Sequence, residues 1–427
     1  PLEAEARPAR VARLRRMIGA LVADDRRRAR ERRRAPPPCA EALPGEVLAT
    51  DAGPLHRIAT YLAPDHRHGR VPIVGALGVD PATVARLALD DAVGAHDPRG
   101  LLYLDTETTG LAGGTGTLPF LIGMAWFEDE SLRVEQLLLR RPGEEGPMLA
   151  RLAERLEAAS GVVTYNGKSY DWPLLRNRFV LNRVPATPPA VHIDLLHCAR
   201  RVFRRRLRRV PLTHVEEAVL GMRRERDIDG AEIPDRFWEV VRGADPSRLA
   251  PVIEHNANDV IALAAILAVL VERYDAPAPH HEPEDRLAIA EVAWRAADEA
   301  TAGLHARAAA EGGGDAELTA DALVLAAEVA RRRKAHRERA ELLHAALAAS
   351  DDPARRGRTH LALAKVYEHG LRDLGRALLH ARLARTAEND EAHERRVARL
   401  LRRLARSAPL PASPASVGCL AKPGRGR

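Results

Sequence analysis

From residue 101 onward the chain sets short apolar runs between polar and turn-forming residues. LLYLD (101–105), LPFLIGMAWF (118–127) and LRVEQLLLR (132–140) read as strands, the last two joined by the acidic turn EDES as in a hairpin. The period then changes. GPMLARLAERLEAAS (146–160) spaces its apolar residues as a helix does, with Pro147 near its start. GVVTYN (161–166) reads as a strand, DWPLLRNRFVL as a helix and AVHIDLL (190–196) as another strand; helices dominate from there to residue 273. A three-strand meander followed by β-α-β units predicts an α/β fold, a mixed sheet with helices on both faces.

The flanks read differently. Residues 1–40 form a basic extension: an arginine-rich amphipathic helix, then the breaker APPPCA. Residues 41–99 are irregular, with short strands and turns expected in GPLHRIATYLAPDHRHG, and the α/β domain is assigned to 41–274. DAPAPHHEPED (275–285) is a linker rich in proline and acids. Residues 286–405 read as helices almost throughout and carry a weak repeat of 37 residues. Ala327, Ala330, Ala340, His344 and Leu347 align with Ala364, Tyr367, Ala377, Ala381 and Ala384. Small residues at these offsets let two helices pack closely. The second copy, LALAKVYEHGLRDLGRALLHARLA, resembles a tetratricopeptide helix pair. The tail, 406–427, is expected to be disordered.

Composition narrows the picture modestly. The net charge is +7, which permits a polyanionic partner. Only four lysines occur among the basic residues, so the charge is nearly all arginine, as a GC-rich coding sequence would give whatever the function. Its distribution says more: DDRRRARERRRA (24–35) and ARRVFRRRLRR (199–209) are concentrated clusters. Cys39, Cys198 and Cys419 are scattered and odd in number, so neither a disulfide framework nor a zinc spacing is expected, and a reducing cytoplasm fits. VIALAAILAVLV (260–271) is too short for a spanning helix of about 20 residues. The first residues carry charge but no signal-peptide pattern, so no membrane role is expected.

The chemistry centres on LLYLDTETTG. Asp105 and Glu107 stand two apart, on one face of a strand. Two buried like charges need something positive between them. Asp171 lies at a strand-to-helix junction, where open α/β sheets place their sites. Asp259 lies in the apolar helix, one turn after His255 on the same face. Acidic oxygen donors from three segments suit hard divalent cations, Mg²⁺ or Mn²⁺. Two such ions would activate water on a phosphodiester, with His255 placed to take its proton.

DTETTG, YNGKSYD and EHNANDV resemble, in order, the three exonuclease motifs of the DEDD superfamily, whose fold is ribonuclease-H-like. The likeness is closer to one bacterial branch, the YprB-type proteins, which join that domain to tetratricopeptide repeats. LDTETTGLAGGTGT, NGKSYDWPLL, RFVLNR, IDLLHCARR and EHNANDV carry it. The resemblance implies a ribonuclease-H-like mixed sheet flanked by helices, followed by an all-α tetratricopeptide-like domain. It implies Asp105, Glu107, Asp171 and Asp259 as ligands of two ions, and 3′→5′ exonuclease chemistry on DNA or RNA. Superfamily members carry a Tyr four residues before the last Asp or a His five before it; here a His stands four before and Glu254 five before. That departure leaves two parts open to His255: deprotonating the water, or only orienting it.

Thr108, Leu111, Asn166, Lys168 and Tyr170 are the candidate substrate contacts: Leu111 as a wedge at a terminal base, Lys168 at a phosphate, Asn166 and Tyr170 beside Asp171. Asp194 reads as structural, and His192, His197, His280 and His281 are given no role. The arginines of 199–209 suit a nucleic-acid backbone, and the repeats a protein partner. Two rivals stand beside the exonuclease: a structure-specific endonuclease using the same site, and a non-catalytic nucleic-acid or protein scaffold.

Overall fold

The computed structural model describes residues 43–110, 116–225 and 227–407. The basic extension 1–40, Leu111 with the glycine-rich stretch to residue 115, and the tail from 408 lie outside the described residues. The chain divides into two compact units, 1–276 and 277–427.

The first unit is built on a seven-stranded sheet. Its strands are β1 (Glu46–Thr50), β2 (Gly53–Leu62), β5 (Leu101–Thr108), β6 (Pro119–Glu128), β7 (Ser131–Leu138), β8 (Gly161–Thr164) and β9 (His192–Asp194). Two short strands, β3 (Arg67–His68) and β4 (Val71–Pro72), pair separately. The order in the large sheet is β1-β2-β7-β6-β5-β8-β9. The pairs from β1 to β5 are antiparallel, and β5, β8 and β9 run parallel. The expected mixed sheet is therefore present. β6 is buried from Pro119 to Phe127, which explains why its sequence is a continuous apolar run rather than an alternating one.

Helices flank the sheet: α1 (Pro81–Ala88), α2 (Glu145–Ala158), α3 (Asp171–Asn182), α4 (Leu195–Leu207), the short α5 (Leu212–Val215), α6 (Ile233–Val241) and α7 (Ala250–Asp275). Helix α7 packs on the central strands β5, β6 and β7. Every residue from Val260 to Val271 is buried. This apolar run is a core helix, hydrophobic all round because it is enclosed all round. Among the described residues no helix is long and apolar enough to cross a membrane.

Two expectations change. Residues 53–62 form a ten-residue strand of the main sheet, paired with β7 from His56 to Leu62, not a series of short irregular pieces. Its mixed, half-exposed pattern hides the strand because β7 supplies the order. The strand expected over 190–196 is confined to His192–Asp194. Asp194 ends it by accepting a hydrogen bond from the Leu196 amide (3.1 Å), capping α4.

The second unit is all helical: α8 (Pro283–Arg295), α9 (Glu299–Glu311), α10 (Ala316–Arg332), α11 (His336–Ala349), α12 (Pro353–Lys365), α13 (Leu374–Leu383) and α14 (Asp390–Ser407). α14 runs two residues into the expected tail. Helices α8 to α13 form three hairpins, each turned by one left-handed residue: Ala297 (φ 59°), Lys334 (φ 58°) and Arg372 (φ 57°). A third hairpin, α8–α9, thus precedes the two segments aligned in the sequence. The first spacing is 37 residues and the second 38. A π-helical turn at Val366–Leu371 takes up the extra residue. Ala327, Ala330, Ala340, Ala364, Tyr367, Ala377, Ala381 and Ala384 are buried, as the repeat requires. His344 and Leu347 are not: Leu347 is half-buried, and His344 is exposed and bonds the Tyr367 hydroxyl (3.0 Å).

Candidate metal centre

Strand β5 delivers Asp105 and Glu107 at its C-terminal end, where pairing with β6 becomes irregular between Glu107 and Thr108. Parallel β8 ends beside it, and the chain turns through 165–170 into α3, whose first residue is Asp171. Asn166 takes a left-handed conformation in this turn (φ 71°). Asp194 fixes the turn by accepting from the amides of Asn166 (2.8 Å) and Lys168 (3.1 Å). Across from it, the Thr106 hydroxyl donates to Asp171 Oδ1 (2.5 Å).

Helix α7 supplies His255, Asn256 and Asp259. Asn256 donates to Asp105 Oδ2 (2.8 Å), and its own carbonyl accepts from Gln136 of β7 (2.9 Å). This approach needs Gly123, which faces Asp105 on β6: a Cβ there would stand 2.2 Å from Asn256 Oδ1. His255 Nε2 lies 3.5 Å from Asp259 Oδ2 and 3.9 Å from Glu107 Oε1. One ligand atom from each of Glu107, His255 and Asp259 can be chosen so that all lie within 4.8 Å. On its other side, His255 Nδ1 donates to Asp227 Oδ1 (2.6 Å). The loop after residue 220 adds Arg224, whose Nη2 meets Asp259 Oδ1 at 2.5 Å and Glu216 Oε2 at 2.7 Å.

The acids are under electrostatic strain. Burial, then repulsion from Asp259, Glu107 and Asp171, holds Asp105 well above the usual carboxylate range. Burial pushes Glu107 up to about 7, against the pull of His255 and Arg224. Burial raises Asp171 to about 6 although Thr106 favours its ionised form. Asp259 is raised too, burial outweighing His255 and Arg224. Burial would lower His255, but Asp259, the Asp227 hydrogen bond and Glu107 together raise it. A concentration of negative charge that buried groups cannot neutralise among themselves fits hard divalent cations, and carboxylate oxygens with one imidazole are a donor set such ions accept.

The five residues singled out for chemistry thus converge. The expected substrate contacts do not all join them. Thr108 bonds the Gly110 carbonyl (3.0 Å) within its own turn. Asn166 acts through its backbone. Lys168 is exposed, its ammonium 3.9 Å from Asp90 Oδ2. Tyr170 is 62% exposed and directly precedes Asp171. Asp194 holds the turn and caps a helix, the structural part expected of it. Arg224, Asp227, Thr106, Asn256 and Gln136 were not foreseen. Asn256 and Thr106 sit inside the quoted motifs and carried some signal. Arg224 and Asp227 lie in an irregular loop of an arginine-rich chain, where nothing local marks them.

Residues 102–271 match the sequence profile of the RNase_H superfamily. The matched segment opens in β5 and closes in α7, enclosing all four acids. The chain is also 38% identical over 173 residues to "Uncharacterized protein YprB" of Bacillus subtilis (strain 168). That alignment covers 40% of this chain and 42% of the relative's length. Residues 102–271, on a mixed sheet flanked by helices, are thus similar to the RNase_H superfamily, and an all-helical unit follows them.

Proposed function

We propose that the first unit is a divalent-metal-dependent nuclease that removes nucleotides from the 3′ end of DNA or RNA. The observation that carries this is the convergence of four acids, all raised chiefly by burial, two of them even with Arg224 and His255 beside them. The superfamily match and the three motifs support phosphodiester hydrolysis; the likeness of those motifs to DEDD exonucleases supports the 3′→5′ direction.

Asp105, Glu107, Asp171 and Asp259 hold the ions in this reading. Two bound divalent ions, Mg²⁺ or Mn²⁺, would activate a water and stabilise the leaving oxygen of the phosphodiester. The remaining work falls to the chain. Asn256 and Thr106 fix the rotamers of Asp105 and Asp171 through neutral donors. Asp227 can only accept from His255 Nδ1, so Nε2 is the nitrogen turned toward Glu107 and Asp259. A ring held this way by a carboxylate suits a proton acceptor as well as a group that orients water. Tyr170, Lys168 and the exposed arginines of α4 (Arg200, Arg204 and Arg205) are the side chains offered to a nucleic-acid strand. The three helical hairpins, read as tetratricopeptide-type repeats, are assigned to a protein partner.

A nuclease assay with Mn²⁺ or Mg²⁺ tests this, using 5′-labelled single-stranded DNA and RNA beside circular forms, with Asp105→Ala in parallel. A ladder shortening from the 3′ end, absent on circles and in the variant, is the expected result. Cutting of circles by the wild type would replace it with an endonuclease. No cleavage of any substrate by protein that binds Mn²⁺ would favour the scaffold.

A further inference from the structure

Arg224 stands where a cation is expected, and it comes from the chain itself. Only 6% of its side chain is exposed. Its guanidinium takes Asp259 Oδ1 at 2.5 Å, while His255 Nε2 lies 3.5 Å from Oδ2, so nitrogen-bearing side chains of the protein already face both oxygens of this acid. Asp105 and Asp171 differ: the side chains bonded to them are a neutral amide and a neutral hydroxyl. The four acids are therefore unequal before any ion arrives.

The arginine is anchored from behind. Glu216, fully buried, pairs with it at 2.7 Å and is bonded on its other oxygen by His68 Nε2 at 2.7 Å, from strand β3. Asp227 Oδ2 lies 3.4 Å from Nη1. These two acids keep partners for the guanidinium if it leaves Asp259. A cavity of about 520 Å³, lined in part by Arg224, Asp227 and His255, gives the loop room to adjust.

We propose that Arg224 is a built-in counter-cation for Asp259 that competes with divalent ions for this acid. Resting on the metal reading above, this makes the protein bind its weakest ion less tightly than the four acids alone would. A guanidinium and a divalent ion on one carboxylate in a buried site repel strongly, so full occupancy requires Arg224 to withdraw onto Glu216 and Asp227. A strut that merely positions Asp259 would do the opposite: its loss would weaken the ion.

The test is a Mn²⁺ titration of the full chain, stripped with EDTA, followed by electron paramagnetic resonance and calorimetry at pH 7.5. Arg224→Gln is expected to tighten the weakest ion by about tenfold or more, and Arg224→Lys, which keeps the charge, to stay nearer the wild type. Removing the arginine orphans Glu216, so the Arg224→Gln/Glu216→Gln pair is measured beside it, with circular dichroism as the folding check. Unchanged or weaker Mn²⁺ binding in folded Arg224→Gln and in the pair overturns the proposal and leaves the metal reading standing. Absence of Mn²⁺ binding in wild type and variants alike overturns both.

Discussion

Glu107 offers a measurement of what the site costs the fold. In the metal-free protein its carboxyl is pushed from 4.5 up to about 7, chiefly by burial. The folded protein therefore binds a proton on Glu107 between these values that the unfolded chain has released, and stability falls as pH rises through that window. The displacement corresponds to about 3 kcal/mol above pH 7. Glu107→Gln removes this cost but also the attraction to His255, so the net gain is set at about 1–2 kcal/mol. The assay is urea unfolding in EDTA, followed by tryptophan fluorescence, since Trp126, Trp172 and Trp238 lie in the first unit. At pH 8 the variant is expected to be the more stable protein. At pH 4.5, where Glu107 is protonated in the fold, the advantage should shrink toward zero. Saturating Mn²⁺ should reverse the order at pH 8, because ions that bind only the folded state stabilise the wild type. A variant less stable than wild type at pH 8 in EDTA, or a gap independent of pH, would refute the reasoning.

Other positions make separate claims. Gly123→Ala drives a methyl to 2.2 Å from Asn256 Oδ1 beneath Asp105; it should cost about 2 kcal/mol or more in denaturant unfolding and weaken Mn²⁺ binding. Thr106→Val removes the hydroxyl that favours ionised Asp171, so the pH below which Mn²⁺ binding fails should rise by about 0.5–1 unit; an unmoved midpoint would contradict the assigned bond. Arg204→Ala and Arg205→Ala, on the exposed face of α4, should each lower the salt slope of single-strand binding by about 0.7 per phosphate no longer neutralised, and an unchanged slope would remove that face from the interface.

The sequence by itself determined a good deal. The apolar runs of β5, β6 and β8 state their burial, because a central strand covered on both faces has no polar side to show. Helix α7 announces itself by length and uniform apolarity, and close helix packing in the second unit is already suggested by small residues recurring at 37-residue spacing. Asp105, Glu107, Asp171, His255 and Asp259 were legible because each sits at a strand end or on a helix face whose geometry fixes where its side chain goes.

Tertiary structure decided what local pattern cannot encode. β2 belongs to the sheet because β7 pairs with it, and its own alternation is too weak to say so. Asp194 both ends a strand and holds the 165–170 turn, a task set by chain proximity across 28 residues. The Gly123–Asn256–Asp105 approach exists only where α7 crosses β6. Arg224 carries no signature in a chain rich in arginine. Its meaning comes from enclosure: burial turns one guanidinium among many surface-capable ones into a cation that Glu107 and Asp259 respond to, and burial is a property of the folded whole.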